Sequence, residues 1–214
     1  MVALPLDIDV LLLDLDNTLY DPACGLLSAG DRLITQFIAH RLGLSETEAD
    51  RLRVRTWQEY GATARGLEVE FGIPQREFFA GSIERCAIAE HVHPWPELVA
   101  MLARLPQRIL VFTNATEDYA ERVLERLGVA DLIEHIFDIE FLGGRPKPER
   151  AGYERVLGEL GVPAERVALI DDTEANLEPA AALGMVTVKL GGAPPAPSHH
   201  HLPDLLELPG LLRL

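Results

Sequence analysis

An uninterrupted apolar run, Val10-Leu11-Leu12-Leu13, ends at Asp14 and passes directly into Leu15-Asp16-Asn17-Thr18-Leu19-Tyr20. A run that is apolar on both faces reads as a strand buried inside a parallel sheet. It delivers two carboxylates, spaced i and i+2, at its C-terminal end. In open α/β sheets that end is where ligands bind. Three later segments finish or follow a strand with a polar residue: Val111-Phe112-Thr113-Asn114, Arg145-Pro146-Lys147-Pro148 and Ala168-Leu169-Ile170-Asp171-Asp172. One hydroxyl, one ammonium and four acids are thereby expected at a single sheet edge.

The rest of the chain supports the same architecture. Strands are expected at 9–13, 109–112, 136–139, 167–170 and 186–190, separated by helical faces such as Ala120, Val123, Leu124 and Leu127 with Gly128 behind them. A further helix is expected to begin at Pro148 and to continue through Tyr153, Val156, Leu157 and Leu160. Alternating strands and helices specify an α/β fold with a doubly wound, Rossmann-like parallel sheet. Between residues 21 and 93 the pattern is helical only. Ile34, Phe37, Ile38 and Leu42 share a face closed by Gly43, and Ser45-x-x-Glu48 is a capping box for the next helix. The expected organisation is therefore a core formed by 1–20 plus 94–214, with an inserted all-helical cap at 21–93. From Gly191 onward the chain reads as a Pro-rich loop, including His199-His200-His201, leading to a Leu-rich end. A solvated tail suits those histidines better than a metal site.

Composition narrows the function. A formal charge of −15 over 214 residues disfavours a nucleic-acid polymer as partner, because such binding draws on clustered Lys and Arg. No apolar run approaches the ~18 residues of a membrane span and no signal pattern opens the chain, so a cytoplasmic address and no membrane partner are expected. Cys24 and Cys86 do not make a disulfide framework and are expected to be reduced packing residues. Lysine occurs only at 147 and 189 among nineteen basic residues, so Lys147 between two prolines stands out from a surface that otherwise uses arginine.

The four segments, in this order, resemble the motifs of the haloacid-dehalogenase-like hydrolase superfamily. The longer phrases Asp14-Leu15-Asp16-Asn17-Thr18-Leu19-Tyr20, Phe112-Thr113-Asn114-Ala115 and Ile170-Asp171-Asp172-Thr173 are similar to its pyrimidine 5′-nucleotidase-type branch, as is Tyr60-Gly61-Ala62-Thr63-Ala64-Arg65-Gly66-Leu67 in the cap. The resemblance implies a phosphomonoester hydrolase in which Asp14 is the nucleophile and forms an aspartyl-phosphate. Asp16 is then the general acid and base, Thr113 and Asn114 receive the phosphate, and Lys147 supplies fixed positive charge. Of the two acids in the last motif, it places Asp172 as the direct metal ligand and Asp171 as a contact through water. Asp16 would meet the metal through its backbone carbonyl.

Chemistry alone asks for the metal. Two unit charges ~4 Å apart repel by about 4 kcal/mol at an effective dielectric near 20, and four gathered carboxylates contain several such pairs. Mg²⁺ suits a site of carboxylates, waters and a phosphate oxygen, and no His or Cys cluster proposes zinc. Within the superfamily that the chain resembles, dehalogenases lack an acid at the second position of the first motif and phosphonate hydrolases take a Schiff-base lysine from the cap, so the resemblance together with Asp16 and the absence of lysine from 21–93 argues against both. A phosphomutase shares the catalytic set. A catalytically silent phosphate-binding protein is the reading from another class. The expected partner is a small phosphorylated metabolite, with a pyrimidine nucleoside 5′-monophosphate as the leading substrate. In the cap, Arg65 is the candidate for a polar group of the substrate and Trp57 or Tyr60 for stacking, against a plainer reading as a salt-bridged arginine and packed aromatics.

Overall fold

A computed structural model describes residues 7–212. Residues 1–6 and 213–214, which the sequence reading assigns to the core, lie outside the described residues. Six strands form one sheet: β1 (Val10–Leu13), β2 (Arg108–Phe112), β3 (Ile136–Phe137), β4 (Val167–Asp171), β5 (Val186–Leu190) and β6 (His200–Leu202). Their spatial order is β3-β2-β1-β4-β5-β6, and every pairing is parallel. This 3-2-1-4-5-6 order reverses direction beside β1, which opens a crevice at the carboxyl ends of the strands there.

Side chains alternate across the pleat, so each strand feeds two cores. Val10, Leu12, Leu110, Phe112 and Leu169 face α7 (Arg150–Leu160) and α8 (Glu174–Ala182), meeting Tyr153, Val156 and Leu177. Leu11, Leu13, Val111, Ala168 and Ile170 face the opposite layer, which contains α5 (Pro96–Leu102), α6 (Glu117–Leu127) and α9 (Leu208–Leu211). All four residues of β1 are buried. At roughly 25 cal/mol per Å² of apolar area removed from water, burial of both faces favours this strand at the centre of the sheet.

Between β1 and β2, and ahead of α5, lie α1 (Leu26–Leu42), α2 (Glu46–Tyr60), α3 (Thr63–Phe71) and α4 (Gln75–Gly81). Gly43 ends α1 in the left-handed conformation at φ 66°, and Ser45 and Glu48 exchange both bonds of the capping box that opens α2. This helical segment is tied to the sheet layer at defined points. Gln75 Nε2 donates to Gly144 O at 2.9 Å, and Arg122 of α6 donates to the carbonyls of Glu84 and Cys86 at 2.7 and 2.9 Å.

Two local expectations change. The tail is not all loop: His200–Leu202 forms the parallel edge strand β6 against Val188–Leu190. Three residues give too short a run for a period-2 pattern, and the strand exists because β5 offers an open edge. The helix expected at Pro148 begins at Arg150, because Glu149 stays extended and its N–H closes a turn onto Pro146 O. Both cysteines are free, and Cys86 is buried. Among the described residues no helix is long and apolar enough to cross a membrane.

Candidate active site

The strand ends bring the expected polar groups together. Asp14 follows the last residue of β1, and its N–H donates to Ile170 O at 2.9 Å, fixing it beside the end of β4. Lys147 Nζ lies 2.8 Å from Asp14 Oδ1 and 2.7 Å from Asp171 Oδ2, with the lysine side chain 1% exposed. A cation so deeply buried is retained only where opposite charge and hydrogen bonds replace its water. The ring of Phe112 adds a face 5.1 Å from the ammonium.

Asn114, at the end of β2, clamps the segment that carries Lys147. Lys147 N–H donates to its Oδ1 at 2.7 Å, and its Nδ2 donates to Lys147 O at 3.1 Å. The Asn114 side chain is thus committed to Lys147. Thr113 is buried, and its Oγ1 accepts from the N–H of Ala115 at 3.1 Å.

The two acids at the end of β4 differ sharply. Asp171 is fully buried and saturated: Oδ1 accepts from Thr173 N–H at 2.8 Å, Oδ2 from Lys147, and Asn176 Nδ2 reaches both oxygens at 3.0 Å. Asp172 is only partly buried and accepts from Thr173 Oγ1 at 3.1 Å and from the side chain of Asn17. Asn17 holds φ 59°, a left-handed conformation that Asn tolerates better than most residues.

Asp16 has two phenolic partners. Tyr20 Oη donates to its Oδ1 at 2.5 Å and Tyr119 Oη, from α6, at 3.1 Å. Burial and the Asp16 charge hold both phenols well above the ordinary tyrosine range, so both remain donors. Burial also raises Asp16, against the pull of the two phenols. Burial pushes Asp14 up to about 8 despite the neighbouring ammonium, with Asp171 and Asp16 adding to the rise. For Lys147 burial works the other way, but Asp14 and Asp171 outweigh it and hold the ammonium above its usual value.

Oxygens of Asp14, Asp171 and Asp172 all lie within 4.8 Å of one another. An all-oxygen, acid-rich set with one lysine as counter-charge fits a hard divalent cation. Asp14, Asp172 and Lys147 line a cavity of about 390 Å³ that extends into the helical segment, where Leu27, Asp31, Arg53, Trp57 and Phe78 line it.

Asp14, Asp16, Thr113, Asn114, Lys147 and Asp172 all line this cavity, and Asp171 stands behind it on Lys147. Arg65 does not line it. Its guanidinium pairs instead with Glu68 one helical turn along α3, at 2.9 Å. Tyr60 also stays outside the lining and bonds Glu70, whereas Trp57 lines the cavity. Sequence reasoning missed Tyr119, Asn176 and the pair Asp31 and Arg53. Tyr119, Asp31 and Arg53 reach the site from helices outside the four motifs, whereas Asn176 follows Asp171 by only five residues, in the first turn of α8.

The family model for haloacid dehalogenase-like hydrolases matches residues 8–184. The chain is 27% identical over 195 residues to phosphate metabolism protein 8 of Saccharomyces cerevisiae, covering 82% of this chain and 59% of that protein. It therefore spans less than two thirds of that relative. GMP/IMP nucleotidase YrfG of Escherichia coli is 27% identical over 187 residues, covering 84% of this chain and 81% of the other. Among solved structures, a HAD phosphatase from Thermococcus onnurineus superposes with a TM-score of 0.66 at 16% identity, over 96% of this chain and 98% of that one. An L-2-haloacid dehalogenase from Xanthobacter autotrophicus superposes with a TM-score of 0.60 at 16% identity and the same coverage. At such identity the structural likeness speaks for the fold. The breadth of the family match, joined to the four strand-end motifs, shows that this chain belongs to the haloacid dehalogenase-like hydrolases.

Proposed function

We propose that this protein is a Mg²⁺-dependent phosphomonoester hydrolase working through an aspartyl-phosphate on Asp14, with residues 21–93 acting as a cap over the site. The reading is carried by Lys147, whose buried ammonium is shared between Asp14 and Asp171 at the strand ends. A cation there faces an incoming phosphoryl group beside the nucleophile. It stabilises charge that moves onto phosphoryl oxygens in the transition state.

In this reading the Thr113 hydroxyl and the Asn114 N–H receive phosphoryl oxygens alongside Lys147. An Asp14 carboxylate oxygen attacks phosphorus in line, and the bond from phosphorus to the leaving oxygen breaks. Asp16 gives its proton to the departing alkoxide. It then takes a proton from the water that attacks the phosphorylated Asp14, releasing phosphate and restoring both acids. Asp14, Asp172 and the Asp16 carbonyl would hold Mg²⁺, with Asp171 behind them anchoring Lys147. When bound, the ion supplies positive charge for the phosphate and offsets the clustered acids.

The substrate is a small phosphorylated metabolite, and a nucleoside 5′-monophosphate leads. Motif phrases similar to the pyrimidine 5′-nucleotidase branch support a pyrimidine base, and the name of the Escherichia coli relative supports a purine. The test is release of p-nitrophenol from p-nitrophenyl phosphate with Mg²⁺ and after EDTA, followed by UMP, CMP, GMP, IMP and sugar phosphates. Metal-dependent turnover that disappears in Asp14→Asn is the expected result. Absence of metal-dependent release from every phosphomonoester overturns the reading.

A further inference from the structure

The cavity lining contains a second polar pair, contributed by the helical segment. That segment also supplies Leu27, Trp57, Phe78 and Phe79 to the lining, the last two packed edge to face at 5.2 Å. Asp31 of α1 and Arg53 of α2 are the only charged side chains of the helical segment in its lining. Arg53 Nη1 stands 2.8 Å from Asp31 Oδ1. Arg53 Nε and Nη2 also donate to Asp50 Oδ1, which is outside the lining, at 3.1 and 2.9 Å. The arginine is thus fixed in orientation by two acids, and its charge is already shared between them.

We propose that Asp31 and Arg53 read the leaving group, and that the group they fit is an uncharged nucleobase. A carboxylate acceptor beside a guanidinium donor complements the adjacent donor and acceptor found on the hydrogen-bonding edge of a base. The apolar wall suits the faces of a planar ring. A second phosphate or a carboxylate on the substrate would meet the Asp31 carboxylate with Arg53, the cation beside it in the lining, already paired to Asp31 and Asp50, so sugar bisphosphates and phosphorylated acids are disfavoured. Asp31 and Arg53 are therefore specificity residues, and this assignment rests on the phosphomonoesterase reading above.

The experiment compares kcat/KM for GMP and UMP with that for ribose 5-phosphate, which lacks the base, in the wild type and in Asp31→Asn. The wild type is expected to favour at least one nucleotide over the baseless substrate, and Asp31→Asn to lower that ratio about tenfold or more. A ratio that the substitution leaves unaltered, or a wild type that hydrolyses ribose 5-phosphate as well as both nucleotides, overturns the assignment while leaving the hydrolase intact. A wild type inactive on p-nitrophenyl phosphate and on every other monoester overturns the hydrolase itself. Should Asp31→Asn fail to fold by circular dichroism, wild-type turnover of nucleotides methylated at the ring nitrogen decides instead. Loss of preference over ribose 5-phosphate supports the assignment, and full retention overturns it.

Discussion

Asn114 and Lys147 exchange two hydrogen bonds between side chain and backbone, at 2.7 and 3.1 Å, so the end of β2 holds the loop that carries the buried ammonium. Asn114→Ala removes both. The expected outcome is a lower kcat with little change in KM and a stability loss of about 1–3 kcal/mol for the groups left unpaired. Steady-state kinetics and urea unfolding check the two parts separately. An unchanged kcat would show that the loop holds Lys147 without the clamp.

Lys147→Ala strands Asp14 and Asp171 without their shared cation. Removing one partner of a buried ion pair costs about 3–5 kcal/mol, and protonation of Asp14 or uptake of a divalent ion reduces that cost. The variant is expected to melt lower than the wild type, with the deficit partly restored by Mg²⁺. Its kcat should fall by roughly a hundredfold or more, the scale of losing one donor to a developing anion. Thermal melts with and without the ion, alongside phosphatase assays, measure both effects.

Metal and proton compete for Asp14. Burial, above all, pushes its carboxyl up to about 8 in the folded protein, from the ordinary aspartate value of 3.8. The folded state therefore holds a proton that the unfolded state releases between those limits. Asp14 lowers stability as pH rises from 3.8 to about 8 and adds no further slope above that. Added Mg²⁺ should displace this proton, flatten the slope and bind more tightly as pH climbs towards 8. Calorimetry at pH 7 in two buffers of different ionisation enthalpy should detect proton release on Mg²⁺ binding. Identical heats in the two buffers contradict the assignment.

Gly61, between α2 and α3, has φ 77°, and a Cβ there would lie 2.9 Å from Lys147 O and 3.0 Å from Pro148 Cδ. Gly61→Ala is both strained in the left-handed region and pressed against the Lys147 loop. Activity is expected to fall by more than the melting temperature suggests, because the displaced group is the backbone that positions the ammonium. Parallel kinetics and calorimetry test this, and a variant with normal kcat refutes it.

Much of the fold is legible in short stretches. The apolar runs at 10–13, 109–112 and 167–170 announce buried parallel strands, and Gly43, Ser45 and Glu48 punctuate helices where the structure ends and begins them. These signals are local because burial on two faces and helix capping depend on near neighbours in sequence. The edge strand β6 was not legible: a three-residue strand has no periodicity of its own and depends on the free edge of β5.

The sequence by itself determined which groups arrive at the strand ends, because a parallel strand must present the residue after it to the carboxyl edge. Asp14, Thr113 and Asp171 meet for that reason, while Lys147, ten residues past β3, is held there by the Asn114 clamp. Only the tertiary structure decided how the groups divide their work. Packing saturates Asp171 and leaves Asp172 partly open, places two phenols on Asp16, pairs Arg65 with Glu68, and brings Asp31 and Arg53 into the cavity. The bond of Tyr119 to Asp16, the hold of Lys147 on Asp171 and the arrival of Asp31 and Arg53 depend on distances between elements far apart in the chain, whereas Arg65 and Glu68 pair within one helix, and only the structure shows that the arginine turns to that partner.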